Sequence, residues 1–256
     1  MGESYRRYQH IRDTAWRALL RLDAPSLPVR PEALAEKIGV VIADRALAQR
    51  QEHTARLLEK APGGAAASVK VKNQWYIFVS SGLEGSVRRF ALAHELGHIL
   101  LEHPLRPVGR DMWAVTGPDN IGDLSDAAED DPDCGADMFA LRLLAPACVL
   151  HEARADSPGA IMTLCGLPPR AANMRAERME LLNRRDAYYE SSLERKVRDH
   201  FLPVLRGSVA PASAPAKPLI LPLPVQQPSP APSRPYWIAA LLGALAAGIA
   251  AYLFLR

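Results

Sequence analysis

The chain has 256 residues, a formal net charge of +3 and 48% hydrophobic residues. This hydrophobic content is ordinary for a globular protein, and the nearly balanced charge does not favour nucleic acid as the default partner. The three cysteines are too few, and odd in number, for a disulfide scaffold, and they are typical of a reducing compartment. The N-terminal 20 residues are polar and charged, without the apolar run of a signal peptide.

The first 201 residues alternate helical and strand-like patterns, which predicts one α+β domain. In chain order, the patterns predict helices over residues 14–22 and 31–38, a short strand at 40–42, and two hairpin strands at 68–72 and 75–79 that form a small antiparallel sheet. Longer helices are predicted over residues 86–102, 132–144 and 169–198.

The composition changes abruptly after residue 201. Ten of the 22 prolines lie between residues 203 and 235, so residues 202–235 are predicted to be an extended linker. Residues 236–256 are predicted to be one transmembrane helix, because Ile238–Leu255 carries no charge and can cross a hydrocarbon core of about 30 Å. More basic residues precede this span than follow it, which predicts a single-pass membrane protein whose domain 1–201 is cytoplasmic.

The strongest chemical signal is the segment His94-Glu95-Leu96-Gly97-His98. Two histidines four residues apart lie on one face of a helix, where they can bind one Zn²⁺ ion. Glu95 can then act as the general base for a water molecule that the metal activates. Gly97 is a poor residue for a helix interior, and its missing side chain leaves room beside the metal.

A catalytic zinc needs a third protein ligand, and the acidic stretch downstream offers candidates. Asp133 and Asp137 share one face of the predicted helix 132–144, as a ligand and a neighbour that orients another ligand would. The alternative is that these acidic residues only stabilise the N-terminus of the helix.

The segments Arg88–His98, Ala136–Ala140 and Leu143–Pro146 together resemble the ImmA/IrrE metallopeptidases. The resemblance extends over about residues 12–185. It implies a zincin-like fold, with His94, His98 and Asp133 as zinc ligands, Glu95 as the base and Asp137 orienting a ligand histidine. It also implies that the substrate is a regulatory protein, such as a helix-turn-helix repressor, in stress or mobile-element control.

One position departs from the family pattern. The family usually has glutamate where this chain has Asp133, whose shorter side chain requires a closer approach of the second helix. Glu129, one turn earlier, is the fallback ligand.

Two other functions stay open. In the first, the metal site is structural or vestigial and the domain is a non-proteolytic regulator that binds a partner protein. In the second, residues 160–182 form a helix-turn-helix that binds DNA, although no direct contact with nucleic acid is expected for the preferred function.

The remaining candidate residues are predicted to have structural rather than chemical roles. His103 is predicted to be a surface residue, because Pro104 follows it where the helix ends. The three cysteines are predicted to be small packing residues. Four arginines of the helix predicted over 169–198 are expected on a solvent-exposed face with i,i+4 ion pairs, namely Arg175, Arg178, Arg184 and Arg185.

Overall fold

The structure is a computed structural model that describes residues 3–50, 55, 65–71, 73–83, 85–103, 132–186 and 188–207. These residues all lie in the first of two compact units, Met1–Ile220. Most of the predicted linker, the predicted transmembrane helix 236–256 and the fallback ligand Glu129 lie outside the described residues.

The described residues combine helices with a small sheet, which confirms the predicted mixture of helix and strand. In chain order the elements are α1 (Glu3–Leu19), α2 (Pro31–Lys37), β1 (Val41–Asp44), α3 (Arg45–Gln49), β2 (Ala66–Val71), β3 (Gln74–Val79), α4 (Gly85–Leu100), α5 (Pro132–Leu144), α6 (Ala147–Glu152), α7 (Pro158–Cys165), α8 (Pro169–Arg185) and α9 (Ser192–Leu205).

The sheet has three strands in the order β1-β3-β2. Strands β2 and β3 form the predicted antiparallel hairpin, with Ala66 opposite Val79. Strand β1 pairs with β3 in parallel, with Val41 opposite Tyr76, so the prediction of a purely antiparallel sheet is wrong. A parallel pair needs a long crossover, and the 29 residues between Asp44 and Gln74 supply it.

The single helix predicted over 169–198 is two helices, and that prediction is also wrong. The first ends at Arg185, and its C-cap residue Asp186 has a left-handed backbone conformation with φ 47°. The second begins at Ser192, and the side chain of its N-cap residue Ser191 accepts a hydrogen bond from the Glu194 amide at 3.0 Å. Helix α9 then continues to Leu205, so the boundary expected at residue 202 falls inside a helix.

Helix α4 lies at the centre of the domain. It packs against α5 on one side and against strands β2 and β3 on the other, and α1 packs on α5. Its side chains Phe90, Leu92 and Leu96 are at most 1% exposed. Because α4 is covered on both sides, it forms a rigid support for the side chains that it carries.

Within the described part of the chain, one stretch is long and apolar enough to cross a membrane, Pro132–Glu152. This stretch comprises α5 and α6, and most of it is buried inside the domain. Buried core helices commonly have such a composition, so the stretch is not evidence of a membrane location.

Candidate metal centre

Helix α4 presents His94, Glu95 and His98 within the domain interior. The side chains next to them on the helix are apolar, and the burial of these apolar side chains in the core places the helix inside the domain. His94 is 2% exposed and Glu95 is fully buried, whereas His98 is partly exposed. Buried polar groups require partners, and those of the two histidines come from α5 and from the turn that follows α4.

Gly97 allows α5 to approach α4 closely. A β-carbon at position 97 would lie 3.1 Å from the Cα atom of Ala136 and 3.1 Å from the Phe139 ring. The missing side chain was expected to leave room beside the metal, and the structure shows that the room is occupied by the backbone of α5. This close approach brings Asp133 and Asp137, both on α5, to the histidines of α4.

Three possible ligand atoms converge between the two helices. The Nε2 atom of His98 lies 3.0 Å from Nε2 of His94 and 3.2 Å from Oδ1 of Asp133. The ligand atoms of these three residues all lie within 4.8 Å of one another. Donor atoms around a tetrahedral zinc with bonds of about 2.0–2.1 Å are about 3.3 Å apart, so the spacing fits a metal ion.

Asp137 holds His94 from the side opposite to the cluster. Its Oδ1 atom lies 2.7 Å from Nδ1 of His94, so the Nδ1–H group donates to the carboxylate and Nε2 is the atom that faces the other possible ligands. Burial alone lowers the pKa of His94, but the carboxylate of Asp137 outweighs burial and raises the pKa to about 9. A metal ion must therefore displace a proton from His94 when it binds.

His103 holds His98 in a corresponding way. Its Nδ1 atom lies 3.2 Å from Nδ1 of His98, and the two rings meet edge to face. His103 is half-buried, so the prediction of a surface residue is wrong. Burial, together with His98 and the guanidinium of Arg7, lowers the pKa of His103 to about 4, which keeps its ring neutral near pH 7.

Glu95 has a buried carboxylate beside the cluster. Both of its oxygens are buried, and neither has a hydrogen-bond partner among the residues that the structure describes. A buried carboxylate without partners costs several kcal/mol, and such a group is retained mainly at functional sites. The structure thus brings together His94, His98 and Asp133, with Asp137 on His94 and Glu95 next along the helix.

A second polar cluster joins side chains of α1, α5 and α8 and was not predicted from the sequence. Arg175 is buried, and its Nε atom donates to the Ala145 carbonyl at 2.7 Å, so the prediction of a solvent-exposed position is wrong. Arg178 donates to the hydroxyl of Tyr8 at 2.9 Å, and the guanidinium of Arg142 lies 4.4 Å from the centre of the Tyr8 ring. Glutamates alternate with the arginines along α8, and such alternation is typical of a helix that is exposed to solvent, so the pattern did not reveal the buried arginine.

The described residues therefore include one group that could hold a metal ion, formed by His94, His98 and Asp133. The free thiols of Cys148 and Cys165 are buried and do not belong to this group, and Cys134 is half-buried. Comparison of the sequence with protein-family models and with curated proteins gives no match.

Proposed function

We propose that the chain is a zinc-dependent endopeptidase with a zincin-like fold of the ImmA/IrrE type. The support comes from the site itself. Two histidines and a carboxylate converge within metal-binding distance, and a second carboxylate is buried beside them without a partner. This combination of three ligands and a free base is the donor set that a hydrolytic zinc site needs.

The donor set favours zinc over other divalent metals. Calcium and magnesium prefer oxygen ligands, whereas two imidazole nitrogens with one carboxylate are typical of catalytic zinc. His94 and His98 would bind the ion through their Nε2 atoms and Asp133 through a carboxylate oxygen. A bound zinc ion acts as a Lewis acid and lowers the pKa of a coordinated water towards neutrality.

Glu95 is the residue that would handle the proton. Its unpartnered, buried carboxylate is the single observation on which the proposal mainly depends. In the proposed reaction the carboxylate accepts a proton from the attacking water and then transfers it to the amine that leaves the peptide. Asp137 would keep His94 in the tautomer that binds the ion.

The substrate is part of the same proposal and is implied by the resemblance to the ImmA/IrrE metallopeptidases, whereas the location is inferred from the charge and hydropathy pattern of the C-terminal segment. The substrate is a regulatory protein, such as a helix-turn-helix repressor. Residues 236–256 tether the peptidase to the cytoplasmic face of a membrane, and the proline-rich stretch between the end of α9 at Leu205 and residue 236 separates the domain from the bilayer. The tether would confine cleavage to substrates near the membrane.

The test uses the purified full chain and three variants. We expect about one zinc ion per chain in the wild type and in Glu95→Gln, and loss of zinc in Asp133→Ala. A peptide library incubated with each protein should show new termini by mass spectrometry with the wild type, at a rate at least about 100-fold higher than with Glu95→Gln. Glu177→Gln changes an exposed glutamate of α8 and serves as the matched control.

Each contrary outcome has a definite meaning. Cleavage by Glu95→Gln at the wild-type rate would exclude Glu95 as the base. Zinc binding in the wild type without any cleavage would favour a non-proteolytic regulator with a structural metal site. A wild-type chain that takes up no zinc would refute the proposal altogether.

A further inference from the structure

His103 lies at the end of a defined helix C-cap. The amide of His103 donates to the carbonyl of His98 at 3.0 Å, and the amide of Glu102 donates to the carbonyl of Ile99 at 3.3 Å. Glu102 has a left-handed conformation with φ 55°. Together these features define a Schellman motif, in which the residue after the left-handed position folds back onto the third residue from the helix end.

In this motif the two residues that usually make an apolar contact are His98 and His103. The fold-back places Nδ1 of His103 3.2 Å from Nδ1 of His98. His98 therefore has both nitrogens engaged, because its Nε2 atom faces His94 and Asp133. The backbone turn and the imidazole contact fix the ring of His103 relative to the candidate ligand.

The hydrogen positions follow from the requirement for a metal ligand. A histidine that binds a metal through Nε2 has its lone pair there and its proton on Nδ1. The Nδ1–H group of His98 must then donate, and the atom that it meets is Nδ1 of His103, which accepts with its lone pair.

The ring of His103 is also supported from α5. A β-carbon at Gly135 would lie 3.1 Å from Cε1 and 3.3 Å from Nε2 of His103. The absence of a side chain at position 135 therefore gives the ring its place between α4 and α5. His103 thus contacts the two helices that supply the metal-binding residues.

We propose that His103 is a positioning residue, which holds His98 in the tautomer and orientation that bind the metal. The inference rests on the proposed function, because it assigns His98 as a zinc ligand. His103 does for His98 what Asp137 does for His94, with a neutral acceptor in place of a carboxylate.

The test measures the zinc affinity of the full chain by competition with a chelator. We expect His103→Leu to weaken zinc binding by 10-fold to 100-fold, on the order reported for the loss of a partner of a ligand histidine. His103→Asn should bind within about threefold of the wild type, because its side-chain oxygen can replace Nδ1 as the acceptor. His10→Leu changes an exposed histidine of α1 and should have no effect.

Two further measurements separate positioning from folding. The Co²⁺-substituted protein should have an altered visible absorption spectrum in His103→Leu and a nearly normal one in His103→Asn, which a purely structural role would not produce. Gly135→Ala should displace the ring and weaken zinc binding while His103 is present, and should cost little more in the His103→Leu background.

The outcomes distinguish this inference from the proposed function. Wild-type zinc affinity in His103→Leu would overturn the inference and leave the proposed function intact. Equal weakening in His103→Leu and His103→Asn would also overturn it, because the hydrogen bond would then not be the cause. Absence of zinc binding by the wild-type chain would refute both.

Discussion

At the scale of single residues, the two histidines of the candidate metal group differ in the charge of the acceptors that their Nδ1 atoms meet. Asp137 is a carboxylate 2.7 Å from His94, whereas His103 is a neutral ring 3.2 Å from His98. A carboxylate acceptor makes the imidazole more basic and therefore a stronger ligand. We infer that His94 is the tighter of the two nitrogen ligands and that His98 depends more on the geometry of its surroundings.

The arginines around the partly buried Tyr8 change the pKa of its hydroxyl group. Burial alone raises the pKa of Tyr8, but Arg142, followed by Arg178 and Arg175, lowers it to about 8. An acid whose pKa is lower in the folded state stabilises the protein above its unfolded pKa of about 10, and this stabilisation is lost as the pH falls through about 8.

We therefore expect the ultraviolet absorbance of the wild type to show one tyrosine that ionises with a pKa near 8. This ionisation should be absent in Tyr8→Phe. The free energy of unfolding of the wild type should rise relative to that of Tyr8→Phe by roughly 2 kcal/mol between pH 8 and pH 10. Tyr5→Phe, at an exposed position of the same helix, is the control and should keep the signal. A wild-type chain in which Tyr8 does not ionise below about pH 9.5, close to the pKa of an ordinary tyrosine, would contradict the prediction.

The sequence predicts the residues of the candidate metal site more completely than the residues that hold them in position. Spacing along a helix pairs His94 with His98 and Asp133 with Asp137, because it determines which side chains share a face, and the family resemblance brings the two pairs into one site. His103 was missed because its position depends on the left-handed turn at Glu102, a conformation that glycine more commonly adopts. A Schellman motif built on a non-glycine residue leaves little trace in the sequence.

At the scale of helices, the site depends on the contact between α4 and α5. A methyl group at Gly97 would lie 3.1 Å from the Cα atom of Ala136, and a backbone atom cannot move aside as a flexible side chain can. Since α5 carries Asp133 and Asp137, any separation of the two helices changes the distances between the ligand atoms.

We expect Gly97→Ala to weaken zinc binding at least tenfold, the lower end of the loss seen when ligand geometry is disturbed. Its free energy of unfolding should fall by about 0–2 kcal/mol, because overpacking of about 1–3 kcal/mol exceeds a helix-propensity gain of about 1 kcal/mol. Gly159→Ala, where a β-carbon has nothing within 4 Å, should bind zinc normally and be no less stable than the wild type. Unchanged zinc affinity in Gly97→Ala would show that the close helix contact does not determine the site geometry.

The secondary structure was predictable where a pattern is local. The hairpin β2–β3 and helix α5 lie within two residues of their expected positions, because side-chain alternation and Pro132 at the helix start act over short distances. The direction of β1 was not predictable, since the pattern of a strand is the same in both directions. The break between α8 and α9 had a signal, the Ser191-x-x-Glu194 capping box, but charged residues on both sides hid it.

At the scale of the whole molecule, the end of α9 decides where the domain can be separated from the predicted tether. Phe201 is fully buried, and Leu205 packs against the core. A chain that ends at His200 loses both side chains, and we expect its free energy of unfolding to fall by about 3–5 kcal/mol, the range for loss of a buried phenylalanine. A chain that ends at Gly207 keeps the whole of α9.

The chain 1–207 therefore tests the proposed tether without damaging the domain. We expect the full chain to sediment with cell membranes, and the chain 1–207 to stay in the supernatant with the zinc content and the thermal unfolding of the domain unchanged. A full chain carrying Leu245→Arg and Ile249→Arg is the matched control, because each arginine at the centre of a span costs about 2.5–3.5 kcal/mol of insertion free energy. This variant should also leave the membrane fraction. Sedimentation of 1–207 with membranes would show that the domain itself binds the bilayer. The surface of the domain, rather than residues 236–256, would then have to confine cleavage to substrates near the membrane.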